Sequence, residues 1–271
     1  MKLFTFLFLC LFTFAAQADE VYERVMESGK IRCGYFIWPP YLDKDVNTGE
    51  MSGLYYDLTE KIGEKLSLDI EWVEEVSFDA MFVGYRADRY DMVCAPVFPM
   101  PSRARASDFT MPVAYIPQFM YARHGDARFD NNFERANQSD IKFAFIDGEA
   151  SQLIQAERFS KAQAYSSLSI ADGNQILNDI STRKADVTVL EASKPSAFIR
   201  NNPDSLKRVD GGPVQVSAVS FSIPRDDPEF RRMLDITIAN LHDLGLIETI
   251  FDSYLRRGTD FLPVVRPYRY E

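Results

Sequence analysis

Apolar positions along the chain alternate between two periods. Leu54, Leu58, Ile62 and Leu66 recur every fourth residue in "LYYDLTEKIGEKL", which predicts one buried face of an amphipathic helix. Before it, "KIRCGYFIW" (30–38) is a short apolar run rich in β-formers that Pro39-Pro40 stops. After it, "DIEWVEEV" reads as a strand, "FDAMFVGYRADRY" as a helix, "DMVCAPVF" as a buried strand and "PSRARAS" as a helical turn. This β–α–β–α–β order predicts a mostly parallel sheet covered by helices. "FTMPVAYIPQFMYARH" (109–124) is extended, and near residue 140 the pattern restarts. "IKFAFID", "AQAYSS" and "ADVTVLE" then read as strands separated by the helices "ASQLIQAERFS" and "GNQILNDISTRK". "VSAVSFSIP" (216–224) is a second extended segment. Asp227-Pro228 opens a long helix with Asp as N-cap and Pro in the first turn, and Phe230, Met233, Leu234, Ile238 and Leu241 form its buried face. Gly245 ends that helix, and "LIETIFDSYL" makes a last short one. The tail from 256 is expected to be a loosely held extension.

The first residues obey a different rule. "MKLFTFLFLCLFTFAAQADE" has a single charge, Lys2, before Asp19, then a run of about 12 apolar residues and Ala16-Gln17-Ala18. That run is short of the roughly 20 residues a spanning helix needs. It reads as a secretory leader, residues 1–18, cut after Ala18, so the mature chain is expected in the periplasm. The formal charge of −10 argues against nucleic-acid and anionic-membrane partners. Export allows a disulfide, but Cys33 and Cys94 each fall inside a predicted strand. Two buried free thiols are therefore the expectation. With His124 and His242 as the only histidines and no Cys-x-x-Cys, no zinc site is expected. Asp43, Asp45 and Asn47 do not make a calcium loop: the glycine falls one place late and Leu54 stands where a bidentate Glu is required. A hairpin turn around Asn47-Thr48-Gly49 is the simpler reading. Neither a phosphate loop nor a nucleophile elbow occurs.

Five local motifs, in order, are similar to those of the family 3 extracellular solute-binding proteins, the periplasmic amino-acid-binding components of ABC importers. "GYFIWPPY" followed by "GEMSGLYYDL" resembles the family's opening. "RYDMVCAP" with "MPSRARASDFT" resembles its strand and the arginine motif after it. "KFAFIDGEAS", "RKADVTVLE" and "FSIPRDDPEF" resemble its later strands and returning segment. The resemblance covers nearly all of residues 28–256. It implies an α/β, two-lobed Venus-flytrap fold: two mostly parallel sheets joined by a two-strand hinge. Lobe 1 would take 19–115 and 217–271, lobe 2 would take 120–214, and the hinges would lie near 116–119 and 215–216. A small polar solute would bind in the cleft, closure would signal to a membrane permease, and no cofactor is implied. The chain is expected to be a monomer.

The resemblance also assigns residues. Arg103 matches the arginine that clamps the ligand carboxylate, a task suited to the planar guanidinium fork. Arg105, two positions on, points away and reads as a solvated charge. Glu191 falls where the family has an acid for the ligand ammonium, and Trp38 near the aromatic that lines the ligand stem. Other positions depart from the pattern. Ala95, Pro96 and Phe98 replace small polar donors, and Pro96 removes an N–H. Leu54 replaces an aromatic, and Glu149 stands where a Ser or Thr is usual. A less polar, more aromatic pocket is implied, with a preference for a cation or a non-standard ligand. Two alternatives accompany this reading. One is a cyclohexadienyl-dehydratase-like enzyme on the same scaffold, with Glu149 and Glu191 as the acids. The other is a sensory binding protein without transport.

Overall fold

The computed structural model describes residues 21–168, 173–255 and 260–264; the expected leader and its cleavage point lie outside them, as does the end of the tail. The chain opens with α1 (Val21–Ser28), β1 (Lys30–Tyr35), the small hairpin β2 (Asp43–Lys44) and β3 (Met51–Ser52), α2 (Leu54–Leu66) and β4 (Asp69–Glu75). The short α3 (Val83–Arg86), β5 (Met92–Val97), a 3₁₀ turn at Arg103–Arg105, β6 (Asp108–Phe109) and β7 (Ala114–Arg123) follow. A second run holds β8 (Lys142–Ile146), α4 (Ala150–Arg158), β9 (Gln163–Ser167), α5 (Gly173–Ser181), β10 (Val187–Leu190), α6 (Ser193–Asn201) and β11 (Leu206–Arg208). The chain returns through β12 (Gln215–Ile223) to α7 (Pro228–Asp243) and α8 (Leu246–Leu255).

The two expected sheets are the wings of one curled, ten-stranded sheet with the path β4-β1-β5-β12-β7-β10-β8-β9; β6 adds to β12 and β11 to β7. Each wing is parallel on its outer side: β1 with β4 and β5, and β8 with β9 and β10. The centre is antiparallel. There β12 pairs with β7 from Gln215↔Gln118 to Val219↔Ala114, so the two extended crossings lie side by side. Every residue of β10 is buried, as a strand sandwiched between layers must be. Along β8, Ala144 and Ile146 join the larger core while Phe143 and Phe145 join a second one, because successive side chains face opposite sides.

Several local expectations hold for the reasons given. The Asp227 carboxylate caps α7 by accepting from Phe230 N at 2.9 Å, and its other oxygen accepts from Tyr22 N, tying α1 to the same point. Phe230, Leu234, Ile238 and Leu241 are buried along α7, with Met233 at the margin. In the hairpin turn, Asp45 Oδ1 accepts from Asn47 N and Thr48 N, the arrangement of a turn rather than of a metal loop.

Three expectations are corrected. Cys33 and Cys94 are not free thiols but a disulfide, with their Cα atoms 5.4 Å apart. The parallel register of β1 and β5 sets Cys33 opposite Met92 and Gly34 opposite Val93, which brings Cys94 beside Cys33. The helix expected over 78–90 shrinks to four residues. The Tyr90 ring lies against Gly84, where a Cβ would come within 2.0 Å of it, and Tyr90 Oη donates to Met81 O. That tertiary contact overrides the helical pattern. The tail is not loose where it is described. Leu262 pairs with Tyr115 at the start of β7, and the Phe261 ring packs on Phe251 and Tyr41 at 4.5 and 5.3 Å between centroids.

The disulfide closes a loop with a sequence separation of 61. Replacing both cysteines by alanine is expected to lower stability by about 4 kcal/mol, the chain-entropy value for such a loop. Urea unfolding of the oxidised protein and the double variant checks this; equal midpoints would show that the bridge carries no stability.

Candidate functional site

A narrow cavity lies where the two wings face each other. Phe36, Trp38, Tyr41, Phe78 and Met81 line it from the first wing, together with Pro96, Phe98 and Arg103; Ile116 comes from the central strand β7. Glu149 and Glu191 come from the second wing. The walls are thus mostly apolar, five of the eleven lining residues being aromatic, with Arg103, Glu149 and Glu191 set into them.

Arg103 is held by its place just beyond β5. Arg103 N bonds to Met100 O at the start of the 3₁₀ turn, Ala106 N closes it on Arg103 O, and Ser107 pins the next residues by donating to Ile223 O of β12. This buries the Arg103 side chain to 7% exposure while Arg105 stays exposed. The guanidinium donates from Nη1 to Phe98 O at 3.1 Å and from Nη2 to Gly148 O at 2.8 Å, across to the second wing. Gly148 can supply that carbonyl because it is glycine: its φ is 78°, and a Cβ there would lie 2.5 Å from Asp79 N. Among the described residues no carboxylate lies within ion-pair distance of Arg103. Burial lowers its pKa to about 10, partly offset by the charge of Glu149, so it remains a cation at neutral pH.

Glu149 and Glu191 differ sharply. Glu149 is the N-cap of α4, with Oε2 accepting from Ser151 N at 2.7 Å. Its burial raises its pKa above the ordinary 4.5, against the lowering effects of the Ser151 hydrogen bonds and of Arg103. Glu191, just beyond β10, accepts four hydrogen bonds. Ser193 N and Ser193 Oγ donate from its own wing at 2.6 Å each; Trp38 Nε1 and Tyr41 Oη donate from the other wing at 2.9 Å each. Burial and the Glu191 charge push the Tyr41 phenol well above its usual range, so it stays a donor. Lys194 lies over the Trp38 ring at 4.5 Å and adds to the same junction.

Five of the seven residues expected at the site meet here: Trp38, Phe98, Arg103, Glu149 and Glu191. Leu54 and Ala95 do not line the cavity and are fully buried in the core. Leu54 begins α2, where Leu54 N bonds to Pro40 O and Tyr55 N to Tyr41 O, so it braces the loop carrying Trp38 and Tyr41 from behind. Ala95 lies one residue before Pro96, which does line the cavity. Tyr41 and Ser193, the other partners of Glu191, were missed. Tyr41 belongs to the same aromatic run as Trp38, "GYFIWPPY"; the paired hydrogen bonds between Trp38 and Leu42 fold that run so that both side chains reach one carboxylate.

The raised Glu149 pKa has a definite sign for stability. The folded chain holds this proton more tightly than the unfolded chain does. The contribution is complete below about 4.5 and is lost as pH rises through the folded value. Urea midpoints across that range should therefore fall with pH more steeply for the wild type than for Glu149→Gln; parallel profiles would contradict the assignment.

The family model for bacterial extracellular solute-binding proteins, family 3, matches residues 31–257. A probable amino-acid ABC transporter-binding protein of Haemophilus influenzae is 24% identical over 216 residues, which is 78% of this chain and 79% of that protein. A probable histidine-binding protein of Campylobacter jejuni is 24% identical over 76% of this chain and 77% of its own length. Among solved structures, an ancestral amino-acid-binding protein described as a precursor of cyclohexadienyl dehydratase superposes with a TM-score of 0.73 at 20% identity. That superposition covers 87% of this chain and 99% of the other. The cysteine-binding protein of Campylobacter jejuni gives 0.73 at 14% identity, over 88% and 94%. The family and both curated relatives are binding proteins, not enzymes. By this match over most of its length, the chain belongs to the family 3 bacterial extracellular solute-binding proteins.

Proposed function

We propose that this chain captures an α-amino acid, or a zwitterion of similar size, in the cavity between its wings and presents it to the permease of an ABC importer. The observation that carries this reading is Arg103: a buried cation on the cavity wall with no carboxylate within ion-pair distance among the described residues. Burying a charge without a counter-ion is costly, and a ligand carboxylate on the guanidinium fork relieves that cost. The apolar walls, five of whose residues are aromatic, suit the carbon skeleton of such a ligand.

In this reading lobe 1 comprises 19–115 with 217–271 and lobe 2 comprises 120–214. They hinge about 116–119 and 215–216, where β7 and β12 run together. The leader at 1–18 delivers the chain to the periplasm, where it works as a monomer without a nucleic-acid partner, in keeping with its formal charge of −10.

Isothermal titration of the wild type and Arg103→Ala with the twenty L-amino acids tests the reading. At least one amino acid should bind the wild type. Arg103→Ala should weaken it about 100-fold or more, since two charge-assisted hydrogen bonds at roughly 1.5 kcal/mol each amount to about 3 kcal/mol. Tight binding that survives the substitution would sink the anion-clamp role.

A further inference from the structure

The geometry points to Glu149, not Glu191, as the residue that receives the ligand's ammonium group, with Glu191 acting as the latch that holds the two wings together. A carboxylate offers about four acceptor positions. Glu191 has four donors on it, two from each wing. An ammonium reaching Glu191 would have to displace the Trp38 or Tyr41 bond that joins the wings. Among the described residues Glu149 draws its hydrogen-bond support from the start of its own helix, Ser151 and Ala150, with none from the other wing, and it is 8% exposed while still lining the cavity. What acceptor capacity it keeps is desolvated and lies on the cavity wall, and using it breaks no bond between the wings.

Position supports the same assignment. Arg103 reaches Gly148 O, the residue immediately before Glu149, so the cation and the carboxyl meet at one corner of the cavity without forming an ion pair. The carboxylate and ammonium of an α-amino acid are separated by a single carbon. A ligand whose carboxylate lies on Arg103 thus carries its ammonium toward the neighbouring carboxyl and neutralises both groups at once. Trp38 and Tyr41, by contrast, line the cavity with their polar atoms already engaged by Glu191.

This assignment rests on the amino-acid reading above, and the experiment separates the two. The tightest-binding L-amino acid of the panel is compared with its des-amino carboxylic acid on the wild type, Glu149→Gln, Glu149→Ser and Glu191→Gln. Serine at 149 keeps a side chain that caps α4, so it guards against a loss that is only structural. Both 149 variants should weaken the amino acid by roughly 10- to 100-fold and the des-amino acid by less than about threefold. Glu191→Gln should weaken the two ligands by similar factors, because it loosens closure rather than ammonium contact. The assignment is overturned if the 149 variants affect both ligands alike or neither, if Glu191→Gln is the selective one, or if the wild type binds both ligands equally. A panel with no binder overturns the amino-acid reading and this assignment with it.

Discussion

A buried guanidinium with no carboxylate within ion-pair distance among the described residues is the constraint around which this molecule is arranged. Arg103 keeps its charge although it is 7% exposed, and the groups that stabilise it are two backbone carbonyls, one from each wing. Each requirement reaches back to the sequence. The 3₁₀ turn after β5 sets its direction, and Ser107 fixes that turn to β12. Gly148 allows the second carbonyl to approach because no other residue fits between it and the Phe78–Asp79 backbone. In the proposed reading a ligand anion completes what the carbonyls leave undone, since they supply partial charge where a full negative charge fits.

The contact between the wings depends on a second hub. Glu191 gathers donors from Trp38 and Tyr41 across the cavity, and Tyr41 in turn packs on Phe261 of the tail. The tail pairs with Tyr115 on the central strand, so the cleft, the crossing strands and the last described residues form one connected set. The two wings are thereby joined by hydrogen bonds whose donors, Trp38 and Tyr41, are themselves buried.

The fold was legible because its signals are local and repeated. The fourfold spacing of Leu54, Leu58, Ile62 and Leu66, the Asp227-Pro228 start of α7 and the restart of strand–helix alternation near residue 140 each report a period that the backbone imposes. Arg103 was legible from its motif, and its exposed neighbour Arg105 from helical geometry. What stayed hidden depends on register and on contacts between distant residues. The Cys33–Cys94 bridge follows from how β1 and β5 align, which neither strand states alone. The bonds from Trp38 and Tyr41 to Glu191 span sequence separations of 153 and 150, so Glu191 looked like a free acid when it is a saturated one. Leu54 was placed in the cavity by position in a motif, whereas packing sets it one layer behind.

The central claim is that the Arg103–Glu149 corner, and not Glu191, receives the two charged ends of the ligand. A crystal structure of the protein grown with its tightest-binding amino acid tests this most directly. The account predicts the ligand carboxylate on the Arg103 guanidinium, the ammonium within hydrogen-bond distance of Glu149, and the Trp38–Glu191–Tyr41 bonds intact. An ammonium on Glu191 with those bonds broken, or a carboxylate held away from Arg103, would contradict it.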